Sequence, residues 1–82
     1  MDCFDKLEVL IESGGVDVVE RARVWLGQIT VESKAAAQAV DELLIDLMTL
    51  AFLVESGREA LQISARRLAR ARLSKLRVLH RA

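Results

Sequence analysis

The sequence predicts an all-α fold: a small four-helix, bundle-like domain with two short N-terminal helices and a longer C-terminal helical hairpin turning near Gly57. Three observations predict it. The chain has 82 residues and no proline, so no ring interrupts a helical hydrogen-bond ladder. Its apolar residues are Leu, Val, Ile and Ala, with Phe4, Trp25 and Phe52 the only aromatics. They recur at three- and four-residue spacing in four segments, separated by Ser/Gly breaks. With 52% hydrophobic against 29% charged residues, the chain is too apolar to be a disordered polymer. It reads as a single domain, 1–82, near the lower size limit for a self-sufficient core. A chain of this size buries roughly 60–65% of its unfolded surface.

The first segment runs from about Asp2 to Ser13. Cys3, Leu7, Leu10 and Ile11 share a face beside Phe4, with Asp5, Glu8 and Glu12 turned outward. "SGG" at 13–15 ends it, glycine being the residue that tolerates a left-handed C-cap. Asp17 and Glu20 predict a capping box and a second helix. Its apolar stripe is Val18, Ala22, Trp25, Leu26 and Ile29, with Trp25 as the largest core anchor.

The third segment, Ser33 to Glu55, confines its polar residues Gln38, Glu42, Asp46 and Thr49 to a stripe less than about 90° wide, at 100° per residue. Almost everything else in it is apolar. Three short companions in one small chain barely cover such a helix. A second copy covering Leu43, Leu47, Leu50 and Val54, or the neighbouring Leu44, Met48 and Ala51, is therefore expected.

"ESGRE" at 55–59 predicts a corner, because a Ser56/Glu59 capping box and Gly57 coincide there. Without the corner, residues 33 to 80 would form a rod about 70 Å long.

The last helix is amphipathic. Leu61, Ala65, Leu68, Ala69, Leu73, Leu76 and Leu79 share one face, and Arg66, Arg70, Arg77 and Arg81 the opposite side. Arg72 falls inside the apolar face. In a hairpin turning at Gly57 it lies near Asp41 and Glu42, so a structural ion pair of Arg72 with one of these is expected, a half-buried charge needing a partner.

The charge distribution is the sharpest functional cue. Residues 1–59 hold all 12 acids and five bases (Lys6, Arg21, Arg23, Lys34, Arg58), a net of −7; residues 60–82 hold seven bases and no acid, a net of +7. The total of zero conceals two opposite halves. The basic helix can be a solvated face offset by the acidic remainder, or the Arg66/Arg70/Arg77/Arg81 face can take an anionic partner, protein or nucleic acid. Against nucleic acid stand a pI of about 6.6 and the lack of aromatics for base stacking. A membrane surface is disfavoured because the helix has no Trp or Phe to sit at the interface.

Catalytic and metal signatures are weak. His80 and Cys3 lie at opposite ends of the sequence, and a dyad would need those ends to meet. No Cys/His cluster has metal-ligand spacing, so no cofactor is expected. In "SGGVD" the acid after the glycines would repel a phosphate. The N-terminus is acidic, unlike a signal peptide, and a lone cysteine forms no internal disulfide. A cytoplasmic location is expected.

The reading that covers most of these features is a small non-enzymatic protein–protein interaction module of adaptor, chaperone or inhibitor type, self-associating as a dimer through its third helix. The alternative is a dimeric nucleic-acid-binding regulator that lays its basic C-terminal helix on phosphates.

Overall fold

The structure is a computed structural model describing residues 2–81, without the Arg81 side chain. All regular structure in these residues is helical: α1 (Cys3–Ser13), α2 (Val18–Leu26), α3 (Lys34–Glu55) and α4 (Glu59–Arg81). α3 packs along α4, α1 against both α2 and α4, and α2 against α3. The result is a compact globule measuring 37 × 20 × 16 Å. At 1.5 Å per residue, α3 and α4 each run nearly the full long axis, while α1 and α2 are about half as long.

Local chemistry explains the ends. The Asp2 side chain accepts from the Asp5 amide at 2.9 Å and so caps α1. The Ser33 hydroxyl accepts from the Ala36 amide at 3.0 Å and caps α3. Three expectations about helix ends are corrected. Gly14 closes α1 with φ −68° and ψ 148°, so no left-handed residue is used. The glycine is needed for space, since a Cβ there would crowd the Leu10 carbonyl and lie 2.8 Å from Val18 Cγ2. The Asp17 side chain makes no cap bond to α2, because its backbone (φ −93°, ψ 10°) is not the extended conformation that aims a cap inward. The Ser56 hydroxyl turns back to donate to the Phe52 carbonyl at 2.9 Å, closing α3 instead of opening α4. Gly57 has φ +71°, the region a side chain disfavours.

One apolar cluster forms the core. It joins Phe4, Leu7, Leu10 and Ile11 of α1 and Val18, Ala22 and Leu26 of α2 to Leu43, Leu47 and Leu50 of α3 and Ala69, Leu73 and Leu76 of α4. Ile29 is buried just beyond the end of α2. Between Ala51 and Leu68 no residue is buried. The tip of the α3–α4 pair therefore extends past the core. No helix among the described residues is long and apolar enough to cross a membrane.

Candidate interaction surfaces

The arginine face of α4 is turned onto α1. Arg66 Nη1 donates to the Ile11 carbonyl at 2.7 Å, meeting a carbonyl of the last turn of α1. Arg70 Nη1 lies 2.8 Å from Glu12 Oε1. Arg77 Nη2 is 3.1 Å from Asp5 and 3.6 Å from Asp2, and its guanidinium lies 5.2 Å from the Phe4 ring centre. Arg66, Arg70 and Arg77 of the candidate anionic-partner face thus meet acceptors of their own chain, as in the reading where the acidic remainder offsets the basic helix. The physical reason is register. Asp5 and Glu12 are seven residues apart on α1, Arg77 and Arg70 seven apart on α4, and the helices run antiparallel. The Arg81 side chain lies outside the described residues. Arg67 is the α4 arginine among the described side chains with neither a hydrogen bond nor an ion pair.

Arg72 bridges to α3. Its Nη1 is 2.8 Å from Glu42 Oε2 and its Nε 2.8 Å from Asp46 Oδ2, with Lys75 Nζ 3.7 Å from the same Glu42 oxygen. The structure brings Arg72 and Glu42 together, but the second acid is Asp46. Asp41, the other candidate, faces solvent, because it sits roughly 100° around α3 from Glu42, on the outer side. The hydrogen bond that Arg72 donates to Asp46 raises the Arg72 pKa above its ordinary value, with the charges of both carboxylates adding to it. In the same register, Gln62 Nε2 donates to the Leu53 carbonyl at 3.3 Å.

Of the residues expected in self-association, only Met48 of the alternative set is exposed. Leu43, Leu47 and Leu50 are fully buried within the chain, where α2 and α4 pack on the inner side of α3. Val54, Leu44 and Ala51 are half-buried against the same cluster. The exposed apolar side of α3 is the opposite one: Ile45 is 62%, Met48 56% and Phe52 64% exposed. Leu61 and Leu68, placed by periodicity on the buried face of α4, are also about half exposed. They precede Arg72 by eleven and four residues on one face of α4, so the Arg72 ion pairs turn them toward the rim of this stripe. The signal for the outer stripe was present in the 3–4 spacing of Ile45, Met48 and Phe52, which an almost uniformly apolar helix conceals.

The remaining candidates are structural in their contacts. Trp25 is half-buried, with Lys6 Nζ 4.1 Å from the ring centre. Cys3 and His80, distant in sequence, line one groove of about 300 Å³ with Asp2, Phe4, Gln28, Ile29 and Arg77. The thiol lies 3.5 Å from Gln28 Oε1, and the His80 ring packs edge-on to Phe4 at 5.3 Å. Among the described residues, no group of three or more His, Cys, Asp or Glu could hold a metal ion. Compared with models of protein families, with curated proteins and with solved structures, the chain matches none.

Proposed function

We propose that this protein is a non-enzymatic protein–protein interaction module that self-associates through the exposed side of its α3–α4 pair. The helices are read as a bundle-like domain, its C-terminal hairpin turning at Gly57 to form a projecting arm. One observation carries the reading. Five of the eleven exposed large hydrophobics among the described residues belong to this surface, Ile45, Met48 and Phe52 on one face of α3 and Leu61 and Leu68 on one face of α4. Apolar groups gathered in one region mark an association surface more than a fold requirement. The engaged state of Arg66, Arg70 and Arg77 also favours a protein partner over a polyanion, since binding phosphates would cost these residues their internal partners. Adaptors and inhibitors act by such surfaces, and the partner of the assembled form is taken to be another protein.

Sedimentation of the wild type and of Phe52→Glu tests the reading. The wild type should sediment above the 9.1 kDa of one chain, and the variant at that mass with its helical circular dichroism unchanged, because Phe52 lies outside the core. A wild type that stays at chain mass at every concentration refutes self-association. Salt-dependent binding of generic duplex DNA or RNA with a log–log slope of about −3 to −5 would favour the phosphate-binding alternative instead.

A further inference from the structure

We infer that Gly57 is a hinge through which the chain exchanges α4 with a second copy of itself, α3 and α4 of each copy running on as one helix. This exchange does not use the exposed stripe and is independent of the association proposed above. Three residues reverse the chain, since α3 ends at Glu55 and α4 begins at Glu59. Ser56 already lies in the helical region, at φ −83° and ψ −1°. Gly57, at φ +71°, is the one residue with a positive φ among those described.

The hydrogen bonds of the turn carry the inference. The Gly57 amide donates to the Val54 carbonyl at 3.1 Å, and the Arg58 amide to the Leu53 carbonyl at 3.0 Å. This crossed pairing closes a helix on a left-handed glycine. A continuous helix pairs each amide with the carbonyl four residues back, so Gly57 would donate to Leu53 and Arg58 to Val54. The same two donors and two acceptors serve both forms. Straightening the turn leaves none of them unpaired, and no proline in the chain stops the helix.

The packing is equally indifferent to which copy supplies α4. Arg72 with Glu42 and Asp46, and Gln62 with the Leu53 carbonyl, join α3 to α4. Arg66, Arg70 and Arg77 join α4 to α1. In the exchanged dimer α1, α2 and α3 of one copy close around α4 of the other, and each of these pairs re-forms across the two-fold axis. Only the turn changes. The core does not hold it in place, because no residue between Ala51 and Leu68 is buried. Glycine biases the turn toward the single chain, being free to adopt a left-handed conformation and poor inside a helix. Alanine reverses both preferences.

Gly57→Ala is therefore the test, and open space surrounds the added carbon. Each exchanged dimer contains two straightened turns, so a preference shifted about tenfold per chain enters the dimerisation constant about a hundredfold. Refolded from denaturant at millimolar concentration, the variant should sediment at twice the 9.1 kDa of one chain with its helical circular dichroism retained. Cysteines then locate the contact. In a Cys3→Ala, Gly57→Ala background, Leu53→Cys chains and Gln62→Cys chains refolded together should cross-link to one another. Keeping Gly57 and inserting two further glycines beside it lets each chain close its own turn, and should remove the cross-link. Phe52→Glu should leave it intact, which separates exchange from association through the stripe. A folded Gly57→Ala protein that stays at chain mass overturns the inference, whether or not the wild type associates. A cross-link that survives the lengthened turn, or that Phe52→Glu abolishes, overturns it too. The same cysteine pair with Gly57 unchanged is the second measurement: it should cross-link in smaller yield, and no cross-link at all would rule out exchange in the natural chain.

Discussion

Replacing Leu47 by alanine separates the inner side of α3 from the outer. Leu47 is fully buried at the centre of the core, so the substitution removes three carbon atoms from a site closed on all sides. Leu→Ala changes in such sites cost about 2.7–5 kcal/mol, the lower end applying where the surroundings collapse into the void. A domain of 82 residues has a total stability of about 4–12 kcal/mol. A loss of about 3 kcal/mol therefore takes a quarter to three-quarters of it. At 4–8 °C per kcal/mol for a domain of this size, Tm should fall by about 12–24 °C. The assay is thermal unfolding followed by circular dichroism, run in a Phe52→Glu background so that association adds nothing to the folded state. Phe52→Ala in the otherwise wild-type chain is the control. It removes a larger side chain, yet 64% of Phe52 is already in water, and the folding cost should stay within about 0.5 kcal/mol at high dilution. A Leu47→Ala loss below about 1 kcal/mol would refute the assignment of Leu43, Leu47 and Leu50 to the chain's own core. It would return them to the interface that the sequence alone suggests.

Gly14 and Gly57, at the ends of α1 and α3, should respond differently to alanine. Gly57→Ala, at φ +71° with open space around it, should cost about 1–2 kcal/mol by backbone strain alone. Gly14→Ala, at an ordinary φ, should cost more than Gly57→Ala in urea unfolding, because Val18 and the Leu10 carbonyl block the new carbon. Arg72→Gln leaves Glu42 and Asp46 facing each other one turn apart, so it should lower the unfolding midpoint, and the deficit should shrink as salt is raised from 0.05 to about 0.5 M. The Asp2 carboxylate is held below its ordinary pKa of 3.8, first by the Asp5 amide and also by Arg77. Its contribution is therefore complete above pH about 3.8 and is lost as pH falls through the lowered value. Hydrogen exchange at the Asp5 amide should accelerate across that acid range in the wild type, and a wild-type rate that simply follows intrinsic exchange there would show the cap to be absent.

The sequence made helix existence legible because the 3–4 periodicity of each segment is a local property. Arg72 announced itself the same way, as a charge out of phase with its helix, and hairpin register narrowed its partners to one turn of α3. Glu42 was among the partners so named, whereas Asp46, one turn further along the same face, was not, because rotation about the helix axis puts it and not Asp41 toward α4. Two matters were not local. Which side of α3 its own chain covers depends on where α1 and α2 dock, and a helix apolar almost all round gives no phase from which to read that. The destination of the arginines was encoded, in the matching seven-residue spacings of Asp5/Glu12 and Arg70/Arg77. It becomes readable only when α1 and α4 are known to be antiparallel neighbours. The caps at Asp17 and Ser56 failed because a capping motif specifies a hydrogen bond only when the backbone before the helix is extended.

The contact of α1 with α4 also fixes an order of events in time. The Arg72 bridges close loops of 26 and 30 residues, whereas Arg77 and Asp5 are separated by 72. Loop-closure entropy makes the longer closure costlier by about 0.9 kcal/mol. Contacts between α3 and α4 should therefore form before α1 docks on α4. The same asymmetry operates in reverse. The first partial opening of the native protein should release α1 while α3 and α4 stay zipped, freeing Arg66, Arg70 and Arg77 from their partners on α1.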